Sequence, residues 1–406
     1  MAGLLVTALQ GLAAPPAADA AAGQWAYRIE RGDTLIGIVA RQCGPGPTGA
    51  SCRSSTAWPR RLVPGQSLRI PLAWLRVQPV RAEVLHVQGD VRVQRAGGAP
   101  EAVAAGATLG TGDLLLAGRD AAMALKFADG SRLLVRPETQ VRFERLVQIG
   151  AAGVPDTRLK LDSGSVDSRV VPGVVGRRYD IGTPSVNLGV RGTEFRTQVE
   201  AQTTRVEVIE GTVAAAGEAP GGAGSRSARA ATPIGAGFGT VAVAGQGVAA
   251  PQRLLDPPDL ASTAQRLERV PLRLAWSPLP GASAYRAQVF PAEGSDAADR
   301  LLLDSRSAEP LARWADLPDG RYELRVRGID ALGLEGRDAR RAFVLKARPE
   351  PPFTRQPRAD ARLYGEPTPL AWTQASRKPP ATACRWPRAR TSARRASTSP
   401  ACAAPS

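Results

Sequence analysis

The stretch Met-Ala-Leu-Lys-Phe-Ala-Asp-Gly-Ser-Arg-Leu-Leu-Val at residues 123–135 decides the fold class of this chain. Apolar side chains occupy every second position from Met123 to Phe127, which is the pattern of a half-buried strand. Asp129-Gly130 then interrupts the pattern, and apolar residues resume up to Val135. Asp-Gly between two alternating runs is a strong signal for a β-hairpin. We therefore predict a mainly β fold.

Similar strand patterns continue on both sides of this hairpin, over residues 80–250. The chain contains 42 Gly and 35 Pro, which agrees with many short strands joined by tight connections. Helical periodicity is scarce after residue 75. We therefore expect one β-rich domain at 80–250 and a multidomain architecture for the 406 residues.

Several segments of this region resemble the FecR domain family, in the order in which the family has them. They are Phe-Ala-Asp-Gly-Ser at 127–131, Thr183-Pro184, which we assign to a strand, Val-Arg-Gly-Thr-Glu-Phe at 190–195, and the strand at 206–213. The resemblance implies a β-rich, extracytoplasmic interaction domain. The type member of the family is a periplasmic sensor that relays a signal to a sigma factor, a role that needs a membrane span and a cytoplasmic segment. The sequence shows neither, so we do not carry that role over.

The segment at 190–195 contains the charged residues that most invite a functional interpretation. We interpret Arg191 and Glu194 as an ion pair or backbone-capping pair that braces a tight turn at Gly192, because arginine commonly satisfies carboxylates and carbonyls in this way. The FecR-like motif is accordingly assigned a structural role at Arg191, Gly192, Thr193, Glu194 and Phe195.

A second module is predicted at residues 25–74. Tyr27 and Ile29 alternate with polar neighbours, and Asp33 is suited to cap a helix that ends near Gln42. Near its other end, Pro64-Gly65 signals a turn before a second alternating strand at residues 67–71. The order is strand, helix, irregular or helical segment, strand.

This order resembles the LysM family, whose small βααβ modules bind N-acetylglucosamine polymers such as peptidoglycan. The resemblance implies a shallow glycan-binding groove between two loops. The implied lining is Gly32, Asp33, Thr34 and Leu35 on one side, and Leu62, Val63, Pro64 and Gly65 on the other. Trp58 is either a sugar-stacking platform or, as we favour, a core or helix-end aromatic.

The cysteines and the N-terminus both bear on the compartment. Cys43 and Cys52 bracket the middle of the second module, and they form either a disulfide in an oxidising compartment or two free thiols. Residues 1–24 resemble a secretory signal with an Ala-Asp-Ala cleavage site at 18–20, although the positive start is missing and the true start could lie upstream. No run of 18 apolar residues occurs, so we expect no transmembrane span. Lone His86, interpreted as a solvated strand residue, gives no basis for a metal site, and we expect no cofactor.

The third region, at residues 262–347, again alternates, and Glu323, Arg325 and Arg327 are expected to face outward on one strand. It resembles a fibronectin type III-like β-sandwich with Trp276 in its core. Residues 251–260 read as a linker. Residues 350–406 read as an incomplete second module, since 369–372 echo 272–276, followed by a basic tail. From about residue 377 the tail is either disordered or the product of a frameshift.

Charge and missing motifs narrow the function. The net charge of +16 comes from scattered arginines and shows no nucleic-acid-binding motif, so we expect no nucleic-acid partner. With one histidine and no nucleophile motif, we expect no enzyme. We predict a non-enzymatic, periplasmic or cell-envelope scaffold that binds peptidoglycan and presents its β-domains to another envelope protein. The alternatives are a FecR-type signalling component and an accessory part of a cell-wall hydrolase system.

Overall fold

The computed structural model describes residues 24–44, 61–71, 74–150, 153–172, 177–217, 231–294, 296–348, 353–356 and 371–373. The signal-like segment, Cys52, Trp58, the second helix expected between 43 and 61, and most of 350–406 therefore lie outside the described residues. The described part is mainly β and multidomain, which confirms the predicted fold class.

The N-terminal module comprises residues 24–44 and 61–71. Strands β1 (Gln24–Arg28) and β2 (Ser67–Pro71) pair antiparallel, and helix α1 (Leu35–Gln42) lies between them in the chain. The predicted end of the helix at Gln42 is confirmed. The predicted cap is wrong: Thr34, not Asp33, is the N-cap, and its side chain accepts from the backbone N–H of Gly37 at 3.1 Å.

The module shares its core with the following domain. Ile38 and Ile70 are fully buried, and they pack in one cluster with Val147, Ile149 and Val154. Those last three residues belong to a hairpin of the central domain. Because part of its apolar contact comes from outside, the module is docked rather than flexibly attached.

The central β domain, residues 77–253, contains the strands that the glycine-rich pattern predicts. Its strands are β3 (Val77–Pro79), β4 (Ala82–Gln88), β5 (Val91–Gln94), β6 (Glu101–Ala102), β7 (Thr108–Leu109), β8 (Leu114–Ala117), β9 (Ala122–Lys126), β10 (Arg132–Val135), β11 (Gln140–Ile149), β12 (Val154–Arg169), β13 (Arg178–Gly182), β14 (Val186–Val190), β15 (Glu194–Glu200), β16 (Thr203–Glu210), β17 (Thr212–Gly217), β18 (Thr232–Gly235), β19 (Phe238–Val243), β20 (Gly247–Val248) and β21 (Gln252–Arg253). Their inward side chains form one large apolar core.

The longest strand, β12, belongs to two sheets. The first part of β12 pairs with β11 and β13. From Gly164 onward the strand pairs with β15, and from Val166 onward it also pairs with β10. At the crossing, Gly164 has a φ of 87°, and a Cβ there would lie 2.4 Å from the Cα of Thr139. Only glycine fits this close approach of two backbones.

The hairpin predicted at Asp129-Gly130 is confirmed. Strands β9 and β10 pair antiparallel with Leu125 opposite Leu133, and Gly130 has a φ of 83° in the turn. Thr183-Pro184 differs from its prediction as a strand, because it forms the turn between β13 and β14. The Thr183 hydroxyl oxygen accepts from the backbone N–H of Val186 at 3.0 Å, which closes that turn.

The sandwich, residues 266–345, packs two sheets against each other. Its strands are β22 (Arg266–Leu267), β23 (Leu272–Ala275), β24 (Ala284–Pro291), β25 (Leu303–Ser307), β26 (Leu311–Trp314), β27 (Gly320–Ile329) and β28 (Ala339–Leu345). One sheet has the order β22-β28-β27-β24-β25 and the other is β23-β26. Trp276 is buried and lies edge-on to Tyr285, as a core tryptophan should. Strands β29 (Phe353–Gln356) and β30 (Ala371–Thr373) form a separate pair.

The sandwich lies directly against the central domain. Ala122 and Leu134 of the central domain form an apolar cluster with Phe290 and Leu301 of the sandwich. The segment predicted as a linker is itself packed, since β21 pairs with β19 and Leu254 is buried. The two domains are therefore in direct contact, and ion pairs such as Arg136–Glu335 and Arg196–Asp338 also cross that contact.

Candidate functional site

The two loops predicted to line a glycan groove lie side by side. The backbone N–H of Ile29 donates to the carbonyl of Gln66 at 2.9 Å, and the N–H of Gly65 donates to the carbonyl of Ile29 at 2.8 Å. Gly32 and Gly65 have φ values of 91° and 89°, and nothing lies within 4 Å of where a Cβ would stand. Both turns therefore need glycine for their backbone conformation and leave open space beside it.

Asp33 is committed to contacts within the module. Its carboxylate accepts from the backbone N–H of Glu30 at 2.8 Å and from the Tyr27 hydroxyl at 2.7 Å, and it pairs with Arg41. The hydrogen bond from Glu30, followed by those from Tyr27 and Arg41, lowers the pKa of Asp33. This carboxylate ties β1 to the helix, so its geometry is that of a structural brace.

The apolar part of the loops is uneven. Leu35 and Leu62 are half-buried against the module core, whereas Val63 is 41% exposed beside exposed Pro64. Ile36, which was not among the predicted lining residues, is 78% exposed at the start of the helix. Among the described residues of the module, Val63 and Ile36 are the large hydrophobic side chains that are exposed.

The FecR-like motif forms the turn between β14 and β15. Gly192 has a φ of 60°, and a Cβ there would lie 2.8 Å from Pro172 Cβ. Phe195 is fully buried in the core. The predicted pairing of Arg191 with Glu194 is wrong. Glu194 instead pairs with Arg169 of the neighbouring strand β12 at 3.3 Å, and Arg191 is exposed.

Neither Cys43 nor His86 is a free, solvent-exposed side chain. Cys43 is disulfide-bonded, and its partner lies outside the described residues. His86 is half-buried at a bulge in β4, so its interpretation as a solvated histidine is wrong. Burial, together with the nearby charge of Arg300, lowers its pKa. Among the described residues, no group of three or more His, Cys, Asp or Glu side chains could hold a metal ion.

The densest group of charged side chains lies between the central domain and the sandwich, and sequence reasoning missed it. Its centre is Glu335, which is 1% exposed. Its carboxylate lies 2.9 Å from Arg136 of the central domain, and 2.9 and 2.7 Å from Arg286 and Arg327 of the sandwich. Three guanidinium groups from two domains thus surround one buried carboxylate.

Further ion pairs extend this group across the interface. Arg196 of β15 pairs with Asp338 at 2.9 Å, and Arg327 pairs with the same carboxylate at 2.8 Å. Arg136 also lies 3.2 Å from Asp167 of β12. We call the ion-paired residues the interface cluster: Arg136, Asp167, Arg196, Arg286, Asp304, Arg327, Glu335 and Asp338.

The arginines set the protonation state of the acids in the interface cluster. Burial alone would raise the pKa of Glu335, but the charges of Arg136, Arg327 and Arg286 hold it well below its usual value. Burial likewise opposes ionisation of Asp338, and the charges of Arg196 and Arg327 lower its pKa to about 2. Both carboxylates are therefore ionised at neutral pH, as buried and paired acids are expected to be.

A small cavity adjoins the interface cluster. It has a volume of about 40 Å³ and is lined by charged residues that include Arg169, Glu194 and Asp299. A volume of this size holds a few water molecules, whereas sites for small molecules typically occupy roughly 300–1,000 Å³. The cavity is therefore much smaller than a typical site for a small molecule.

Fold and interface together define a multidomain, mainly β protein whose central domain carries an N-terminal module and a sandwich. A sequence model of the FecR protein family matches residues 113–214, within the central domain. A comparison with curated protein sequences finds no match. Over the described ranges, the chain has no helix with the length and apolar character to cross a membrane.

Solved structures show limited similarity to this chain. Two crystal structures of a candidate anti-sigma factor from Parabacteroides distasonis are 12% and 11% identical to it, with TM-scores of 0.27 and 0.28. They cover 36% and 37% of this chain, which spans 68% and 70% of theirs. The extracellular domain of a candidate hybrid two component system from B. thetaiotaomicron is 8% identical to this chain, with a TM-score of 0.17. The match covers 70% of this chain and 60% of that extracellular domain.

Proposed function

We propose that this chain is a non-enzymatic component of a bacterial cell envelope, of the FecR signalling type, whose central domain engages another envelope protein. The observation that carries the proposal is the FecR family match at 113–214. It falls on the strands that supply both the FecR-like turn at Gly192 and the charged face under the sandwich. The small, ion-paired cavity supports an interaction role in preference to catalysis.

Gene expression in the native host tests this proposal. Deletion of the gene is expected to change transcription of a defined set of genes, and the full-length chain is expected to restore it. A chain with Phe195→Asp, which places a charge in the core of the FecR-like region, should fail to restore it. An unchanged transcript profile after deletion would exclude a signalling role.

We propose glycan binding by the N-terminal module as a second function. The specific observation that favours it is the pair of adjacent loops at Gly32 and Gly65, which are joined through Ile29 and leave an exposed apolar residue, Val63, at their edge. Ligand-binding surfaces commonly combine apolar side chains with a few polar groups such as backbone N–H and C=O. The ligand class is an N-acetylglucosamine-containing glycan such as peptidoglycan.

Retention on insoluble peptidoglycan tests the second function. Because the module shares its core with the central domain, deleting it would disturb both, and point variants are the better tool. Val63→Asp is expected to abolish retention, whereas Val77→Asp, which changes an equally exposed valine on β3, is expected to leave it intact. Equal retention of both variants would rule out the proposed groove.

A further inference from the structure

One buried acid of the domain interface forms no ion pair with an arginine among the residues that the structure describes. Glu207 of β16 is fully buried, and its Oε1 accepts from the backbone N–H of Glu335 at 3.1 Å. Its Oε2 is buried without a hydrogen-bond partner among the described residues. A buried carboxylate with one weak contact is costly to ionise, because water is replaced by too few donors.

Charge balance within the interface cluster leads to the same conclusion. The cluster contains four guanidinium groups and four carboxylates: Arg136, Arg196, Arg286 and Arg327 against Asp167, Asp304, Glu335 and Asp338. These charges cancel with Glu207 neutral. Ionised Glu207 would add a fifth negative charge. That charge would contact the backbone of Glu335, whose carboxylate is the most buried of the four. In a low-dielectric interface such an excess charge is poorly compensated.

The groups around Glu207 are accounted for on each neighbouring element. On β15, Arg196 stands opposite it and is already paired with Asp338. On β19 the opposite residue is Gly239, which has no charge. Arg136, after β10, is paired with Glu335 of the sandwich. Every charged neighbour thus has a partner when Glu207 is neutral.

We propose that Glu207 is a protonation switch of the interface: its neutral carboxyl group keeps the sandwich seated on the central domain, and its ionisation loosens that contact. The position of the proton decides whether the loop with Glu335 stays against β16. Separation would give Glu207 water as a partner, and it would uncover the arginines of β15 and of the turn after β10. The device couples the pH of the compartment to the exposure of a basic protein face.

The direction and pH range follow from the same environment. Burial, and secondly the charge of Glu335, raises the pKa of Glu207 to about 7. In the closed form, with the sandwich seated on the central domain, Glu207 has the raised pKa and binds its proton more tightly than in the open form. The equilibrium therefore shifts towards the open form as pH rises from about 4.5 to about 7, and it stays shifted above that pH. We expect the ratio of closed to open molecules to fall roughly 300-fold over this range.

Interdomain distance provides the first test. Spin labels on cysteines introduced at Arg92 and Val344 place one exposed label on each domain, in the full chain with every cysteine outside the Cys43 disulfide replaced by serine. Double electron–electron resonance should show one narrow distance distribution at about pH 5 and an additional, longer population above about pH 7. Glu207→Gln should retain the pH 5 distribution throughout, since a neutral amide can still accept from the backbone of Glu335.

The control and the protonation state complete the test. Glu210→Gln, at an exposed position of the same strand, should behave like the wild type. The infrared carbonyl band of a protonated carboxyl group should vanish from the wild type as pH passes 7, and it should be missing in Glu207→Gln. Glu207→Met replaces the glutamine variant if that variant does not fold. A distance that is independent of pH in the wild type, or an unchanged pH response in both Glu207 variants, would overturn the proposal.

Discussion

Arg136 and Glu335 are 199 positions apart in the chain, yet both oxygens of the Glu335 carboxylate lie 2.9 Å from Arg136 Nη1. Each side chain is 1% exposed. The pair joins the central domain to the sandwich, and neither partner has access to bulk water if the other is removed. The interface consequently depends on complete pairing, because an isolated buried charge is far less stable than a paired one.

Removing the guanidinium of Arg136 should strongly destabilise the protein. Arg136→Met leaves Glu335 with two of its three arginines and weakens the pairing of Asp167, so we expect a loss of about 3–5 kcal/mol in the free energy of unfolding. Urea denaturation measures it. Arg119→Met, which breaks an exposed pair with Glu138, should cost no more than about 0.5 kcal/mol. If Arg136→Met and Arg119→Met lost similar amounts of stability, burial would not be what makes the Arg136–Glu335 pair important.

Acid should weaken the interface through Asp338. Its pKa of about 2 in the folded protein lies below the ordinary value of 3.8, so its contribution is complete above pH 3.8 and is lost as pH falls towards 2. Asp338→Asn is expected to remove about 2 kcal/mol of stability at neutral pH and to flatten the acid limb of the profile. Thermal unfolding across this pH range is the measurement. A variant with an unchanged acid limb would contradict the assignment.

Alanine at Gly164 should interfere with the crossing of β12 between its two sheets. The new Cβ would meet the backbone of Thr139 at 2.4 Å, whereas a Cβ at Gly97, which also has a positive φ, would meet nothing within 4 Å. Both variants carry similar backbone strain, so their difference isolates the steric clash. Gly164→Ala should cost about 1–3 kcal/mol more than Gly97→Ala in denaturant unfolding. Equal costs would mean that the two strands can move apart freely.

Local pattern predicted the strands well, because alternation is a property of neighbouring residues. It identified the hairpin at Asp129-Gly130, the strand with Leu68 and Ile70, and the inward face of β27. It could not say what covers the other face. Arg327 was expected to face outward into solvent, and it does lie on the polar face, but that face is covered by the central domain and Arg327 is 2% exposed.

The missed site has the same physical origin. Arg136, Arg327 and Glu335 each look like a surface charge in the sequence, since charged residues are rarely buried unless they are paired. Their pairing is a long-range property that no spacing encodes. Asp33 and Thr34 illustrate a smaller error of this kind: both are suited to cap a helix, and Thr34 takes the cap because Asp33 is held by Tyr27 and Glu30.

The shared core of the N-terminal module gives the last prediction. Ile149 is 5% exposed and belongs to the apolar cluster with Ile38 and Ile70, so Ile149→Ala leaves a cavity inside the module although the residue belongs to β11. We expect a loss of about 2–4 kcal/mol. Hydrogen exchange should report it locally, with faster exchange at the Leu68 and Ile70 amides of β2 and little change in β15.

A neighbouring valine supplies the control for this variant. Val77 pairs with Ile149 across β3 and β11 but is 45% exposed, so Val77→Ala removes apolar atoms without opening an enclosed cavity. Its cost should stay within about 0.5 kcal/mol, with normal exchange in β2. If Ile149→Ala left exchange in β2 unchanged, the module would be an independent folding unit attached to the central domain.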